Sequence, residues 1–128
     1  MFESKKIKES TRNIGNSGEE KAAVFLLSQG YEIVERNWRT RSGEIDIIAL
    51  TKDILVFVEV KTLPSGNLET LEHELNKRKQ KRIIETAKFF LLKHRKYSNS
   101  KIRFDVVVVD MPGFESVYHI QDAFAEFI

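Results

Sequence analysis

The sequence predicts a single α/β domain in which helices flank a mixed central β-sheet, in the order α-β-β-β-α-β. Three observations lead there. An apolar stripe at helical spacing, Ala22, Ala23, Leu26 and Leu27, comes first. Three stretches rich in Ile, Val and Phe follow, joined by short polar turns. After a long basic helical segment, the run Ile102 to Asp110, IRFDVVVVD, has the length and β-branched content of a strand buried on both faces.

Residues 1–14 are polar and are expected to form a flexible N-terminal segment, leaving 15–128 as the domain. The first helix should begin near Ser17 and stop at Gly30, with Ser17 and Glu20, or Asn16 and Glu19, spaced as a capping box. Glu19 lies three to four positions before the two alanines and so points towards the core side, where a carboxylate is costly unless it has a partner.

A strand from Tyr31 to about Trp38 comes next, then GEIDIIA (Gly43 to Ala49) and VFVEVKT (Val56 to Thr62), which form a hairpin turning at Thr51, Lys52 and Asp53. If its loop is centred between Lys52 and Asp53, opposed residues have numbers that sum to 105, and Asp46 faces Glu59. The two-residue side-chain period then collects Glu44, Asp46, Phe57, Glu59 and Lys61 on one face, and Ile45, Ile47, Val56, Val58 and Val60 on the other.

Leu63 to Leu68 reads as loop, and one long helix follows to about Lys96, with Leu75, Ile83, Ala87, Phe90 and Leu91 at helical spacing. Lys79, four residues from both Leu75 and Ile83, falls on that inward stripe. A strand after a helix makes a crossover, so Ile102 to Asp110 should run parallel to the Glu59 strand. Pro112 and Gly113 then turn the chain into a short strand near Val117 to Ile120 and a last turn around Ala123 to Phe127.

Composition narrows the chemistry. The chain has no Cys, which removes disulfides, thiolate catalysis and Cys-based zinc sites together and suits a reducing compartment. Its charged N-terminus has no apolar run of the secretory kind, and no apolar stretch nears the ~20 residues of a membrane span. A cytoplasmic protein without a membrane partner is expected. From Lys77 to Lys96 there are nine Lys or Arg against Glu85, a charge of +8, while the remaining residues carry −6. That concentration suits a phosphate-backbone contact surface on Lys77, Arg78, Lys79, Lys81 and Arg82, or else a solvated helix face. Arg39 and Arg41 surround Trp38, which either stacks on an unpaired base or packs on the core.

Two carboxylates facing each other across a hairpin repel unless a cation sits between them. Asp46 and Glu59 stand in that relation, and Lys61 follows two residues on. Glu44 either supports the pair from behind or pairs with Lys61. Arg103 and Asp105 are spaced as a structural pair, whereas His73, His94 and His119 show no ligand spacing.

With Gly15, Gly18 and Glu19 ahead of the helix, GEID at 43 to 46, FVEVKT at 57 to 62 and RFD at 103 to 105, the chain resembles the YraN-like family over roughly residues 13 to 127. These are bacterial proteins predicted to be endonucleases, similar to compact members of the PD-(D/E)xK, or restriction-endonuclease-like, superfamily. The resemblance implies that Asp46 and Glu59 hold one or two Mg²⁺ (or Mn²⁺) ions, that the helical Glu19 joins them, and that Lys61 orients or deprotonates the attacking water. It also implies a role for Lys79 in the second helix, while Leu63 stands where many relatives place Arg. Nucleic acid, foremost DNA, is the partner this implies, and junction cleavage would require a homodimer. Alternatives are a nucleic-acid-binding module that keeps the fold without catalysis, and a protein-interaction domain.

Overall fold

The computed structural model describes residues 17–125. The expected N-terminal segment, the motif residue Gly15 and the alternative capping residue Asn16 lie outside these.

A helix through residues 17–28, α1, ends at Gly30, whose positive φ of 89° makes the left-handed cap. Ser17 is itself helical, so it does not occupy the capping position that its spacing from Glu20 predicts. Five strands follow: β1 (Glu32–Thr40), β2 (Gly43–Thr51), β3 (Ile54–Thr62), β4 (Lys101–Val109) and β5 (Val117–Phe124). They form one sheet in the order β1-β2-β3-β4-β5, antiparallel except for the parallel β3–β4 pair. The sheet is mixed and the chain has a restriction-endonuclease-like α/β core, as expected.

The hairpin register is the predicted one. Ile47 pairs with Val58, Ala49 with Val56 and Thr51 with Ile54, which leaves a two-residue loop. Lys52 there takes φ 55°, a left-handed backbone usually left to Gly or Asn.

Between β3 and β4 the expected single helix is two. α2 (Leu68–Glu74) and α3 (Lys77–Lys93) are separated by Leu75 and Asn76, and a 3₁₀ turn at Arg95–Tyr97 ends the segment. The break follows from side-chain competition for backbone donors. Asn67 and Thr70 form a capping box for α2, and the extended Asn76 accepts from the Lys79 N–H to begin α3 afresh. A second departure lies at the end of the chain. The strand near Val117 runs on to Phe124, so Ala123 and Phe124 belong to it rather than to a final turn.

Both faces of the sheet are covered. On one, Ala22, Ala23 and Leu26 of α1 pack on Ile47, Ala49, Val56, Val58, Val107 and Val109. On the other, Ile83, Ala87 and Phe90 of α3 pack on Ile48, Leu55, Phe57, Phe104 and Val108. Phe57 is therefore a core residue, with Phe90 edge-on at 5.9 Å and Phe104 stacked at 5.6 Å. Trp38 resolves as core packing, edge-on to Phe90 at 5.3 Å.

Ile45 departs from the expected faces. It packs with the α3 cluster, although Ile47, two residues on, packs with α1. The partner strand does the same: Arg36, opposite Ile47, reaches Glu20 of α1, while Trp38, opposite Ile45, reaches Phe90 of α3. Side-chain alternation is thus interrupted between these two pairs, at Asn37 and Asp46.

Candidate metal and catalytic site

Asp46 lies where the β2–β3 ladder gives out. The paired register ends at Ile47 and Val58, and the next N–H of β3, that of Val60, donates to Asp46 Oδ2 at 2.8 Å instead of to a β2 carbonyl. The side chain stands in for the missing ladder bond, which aims the carboxyl across the strand gap towards β3.

Glu59 meets it there. The carboxyl groups of Asp46 and Glu59 act directly on each other, and each residue is only 8% exposed. Burial, and then the charge of Glu59, push the Asp46 carboxyl up to about 7; the Val60 N–H works against this without overcoming it. Glu44 adds to the same repulsion.

Glu19 arrives from α1 because Gly18 permits a close approach. A Cβ at Gly18 would collide with Thr62 Oγ1, so only glycine lets the start of α1 press against the end of β3. Glu19 then lies close enough to Asp46 for each carboxyl to act on the other. Partial burial and Asp46 raise the Glu19 carboxyl, opposed by Arg36 and the Asn37 amide. The inward direction read from the sequence has its partner.

Lys61 continues the face of Glu59 two residues on, half-buried at the end of β3. Glu44 does not pair with Lys61; it takes Arg39, at 3.0 Å between Arg39 Nε and Glu44 Oε2, and both side chains stay exposed. Lys79 is half-buried on the first turn of α3, in keeping with its inward position, while Lys77, Arg78, Lys81 and Arg82 are exposed. The stem of Arg82 covers Gly43, and the α3 hydroxyl of Thr86 bonds Ser42 at 3.0 Å, which fixes the arginine-bearing β1–β2 turn against the basic helix.

The contacts among the acids are pairwise, with Asp46 touching both Glu59 and Glu19. Among the described residues no three His, Asp or Glu side chains make a ready-formed cage. A hard divalent cation that keeps its own water shell needs only one or two carboxylates, and a buried, unneutralised acid pair suits it on charge grounds. The residues fit Mg²⁺ or Mn²⁺ on that basis, and they do not fit a tetrahedral all-protein zinc site.

One polar centre was only half visible in the sequence. Arg103 and Asp105 do pair, at 2.8 Å through both Nε and Nη2, but His119 Nε2 also lies 2.7 Å from Asp105 Oδ2, and Arg103 Nη2 donates to Tyr31 Oη at 2.6 Å. Burial works to raise the fully enclosed Asp105 carboxyl, but bonds from His119, Arg103 and the Asp122 N–H outweigh it and hold it below its ordinary range. This network ties β4 and β5 to Tyr31, just past the end of α1 away from Glu19, and Phe25 of α1 packs edge-on against His119.

Fold and site together define an α/β protein with a restriction-endonuclease-like core and a cluster of acids where β2, β3 and the start of α1 meet. The chain belongs to the family described as uncharacterised protein family UPF0102, whose family model matches residues 18–109, and this is the YraN-like family of the sequence resemblance. A UPF0102 protein of Treponema denticola is 48% identical over 125 residues, covering 89% of this chain and 96% of the relative. One from Treponema pallidum is 45% identical over 119 residues, covering 90% and 94%. One from Persephonella marina is 40% identical over 110 residues, covering 86% and 91%. Among the described residues no helix is long and apolar enough to cross a membrane.

Proposed function

We propose that this chain is a Mg²⁺- or Mn²⁺-dependent endonuclease that hydrolyses phosphodiester bonds in DNA, with a preference for branched or damaged structures. The observation that carries this is the buried, mutually repelling pair Asp46 and Glu59, next to Lys61 on the same strand. A fold has no need to enclose two acids without a countercharge, and perturbed carboxyls of this kind gather at functional sites.

In this reading Asp46 and Glu59, with Glu19 beside them, hold the cation. When bound, the ion supplies Lewis-acid polarisation of the scissile phosphate and a water of lowered pKa. Lys61, two residues after Glu59 on the same strand, would orient the attacking water or take its proton, and its charge would oppose the negative charge that builds on the phosphorane oxygens. The Val60 N–H fixes the Asp46 carboxyl, so the acid does not have to be ordered when substrate arrives. Lys77, Arg78, Lys79, Lys81 and Arg82, with Arg39 near the end of β1 and Arg41 on the turn fixed beside them, contact the DNA backbone. Cleavage of a junction on both strands would take two such sites and hence a homodimer, and the reading places the protein in the cytoplasm.

The test is a cleavage screen over junction, flap and single-stranded DNA with Mg²⁺ or Mn²⁺. The wild type should nick at least one substrate, and Asp46→Asn and Lys61→Ala should each reduce this at least ~10²-fold. Equal background cleavage by all three proteins would assign it to a contaminant. The pairwise acid contacts favour a second reading, a nucleic-acid-binding module without catalysis. It expects salt-dependent DNA binding that neither metal nor Asp46→Asn alters, and no cleavage.

A further inference from the structure

Asn37 is a polar, exposed residue in mid-strand with a backbone no strand requires. Its φ is 51°, in the left-handed region, although β1 keeps one register to β2 from Glu35 to Thr40, the shift in that pairing falling earlier, between Ile33 and Glu35. It stands between the pairs Arg36–Ile47 and Trp38–Ile45, and therefore opposite Asp46. This is also where side-chain alternation breaks. Arg36 and Ile47 face α1, while Trp38 and Ile45 both face α3, where two-residue periodicity would put all four on one side. The reversal frees Asp46 from either packed face and turns it along the sheet to the Val60 N–H. The side-chain amide of Asn37 lies near enough to the remaining acid, Glu19, to favour its charged form.

We propose that Asn37 is a positioning residue for the acidic site: its left-handed backbone turns Asp46 out of the sheet faces, and its amide N–H holds the Glu19 carboxylate against Asp46. Asn is suited to both tasks. Apart from glycine it is among the residues that tolerate the left-handed region best, and glycine would lack the amide. Local backbone strain of this kind persists where the surroundings enforce it, and it gathers at functional sites. The inference rests on the metal-site reading above and names a group that acts through the ligands rather than on the ion.

Mn²⁺ binding to the full chain, followed by calorimetry and by the free-ion electron paramagnetic resonance signal, separates the two tasks. Asn37→Gly keeps the backbone and removes the amide. It should melt close to the wild type and bind Mn²⁺ about 10-fold more weakly. In a Glu19→Gln background the same change should have no further effect, because the amide acts through Glu19. Asn37→Val, which resists the left-handed region, should lower both the melting temperature and the affinity. Wild-type affinity in Asn37→Gly, or an equal drop with and without Glu19, would overturn the inference and leave the metal reading standing. Absence of Mn²⁺ binding by the wild type would overturn both.

Discussion

Gly18 and Thr62 are in such close contact that no side chain fits between them: any Cβ at Gly18 would meet Thr62 Oγ1. That contact brings the first turn of α1 to the end of β3 and delivers Glu19 to Asp46. Gly18→Ala should therefore cost about 1–3 kcal/mol through overpacking. Because the displaced residue sits next to Glu19, divalent-ion binding should weaken in the same variant. Thermal melts with and without Mn²⁺ check both. A paired Thr62→Ala substitution, which removes the obstructing hydroxyl, should restore part of the stability.

Asp46 opposes the fold that holds it. Its carboxyl titrates at about 7 in the folded chain against an ordinary 3.8, so folding favours the protonated form. That contribution is complete below the ordinary value and is lost as pH rises through the folded one. Metal-free protein should lose on the order of 4 kcal/mol between pH 4 and pH 8 from this group. Asp46→Asn should flatten the pH dependence and, at pH 8, melt higher than the wild type while losing cleavage. Denaturant unfolding at a series of pH values measures this, and added Mg²⁺ should stabilise the wild type at pH 8 and leave the variant unchanged.

Asp105 has the opposite sign. His119, Arg103 and the Asp122 N–H hold its carboxyl below the ordinary 3.8, so its contribution is present above that value and is lost as pH falls through the lower folded one. Removing it leaves the Arg103 guanidinium without the partner it holds at 2.8 Å. Asp105→Ala should cost about 3–5 kcal/mol, and Asp105→Asn less, since the amide still accepts from the Asp122 N–H. Chemical denaturation at neutral pH ranks the two.

The basic surface makes a prediction independent of catalysis. DNA affinity should fall steeply with salt, and neutralising Lys81 or Arg82 should each lower the slope of log affinity against log salt by about one. Asp46→Asn should bind with the same slope as the wild type. Titrations between low and physiological salt decide it.

The hairpin was legible because its information is local. Two apolar runs separated by two polar residues set a register, and that register brings Asp46 to Glu59 without reference to the rest of the chain. The parallel return of β4 was legible for a similar reason, since a nine-residue run with six apolar positions, five of them β-branched, fits a covered strand after a helix. Breaks made by single polar residues were not. Asn76 sits in a run of good helix formers and ends one helix only because its side chain takes the Lys79 N–H. The faces around Asp46 were misread for Ile45, because periodicity assumes a regular backbone and Asn37 departs from it. His119 was assigned no role because its partners, Asp105 and the rings of Phe25 and Tyr31, come from distant parts of the chain. Glu44 and Arg39 are opposed across β1 and β2, a pairing that required the register of a third strand.

The central claim is that Asp46 and Glu59 share one divalent cation. Anomalous diffraction from crystals grown with Mn²⁺ tests it most directly. A single peak within coordination distance of both carboxylates, lost in Asp46→Asn crystals, is the expected result. A peak elsewhere, or none beside the pair at saturating Mn²⁺, would contradict the account.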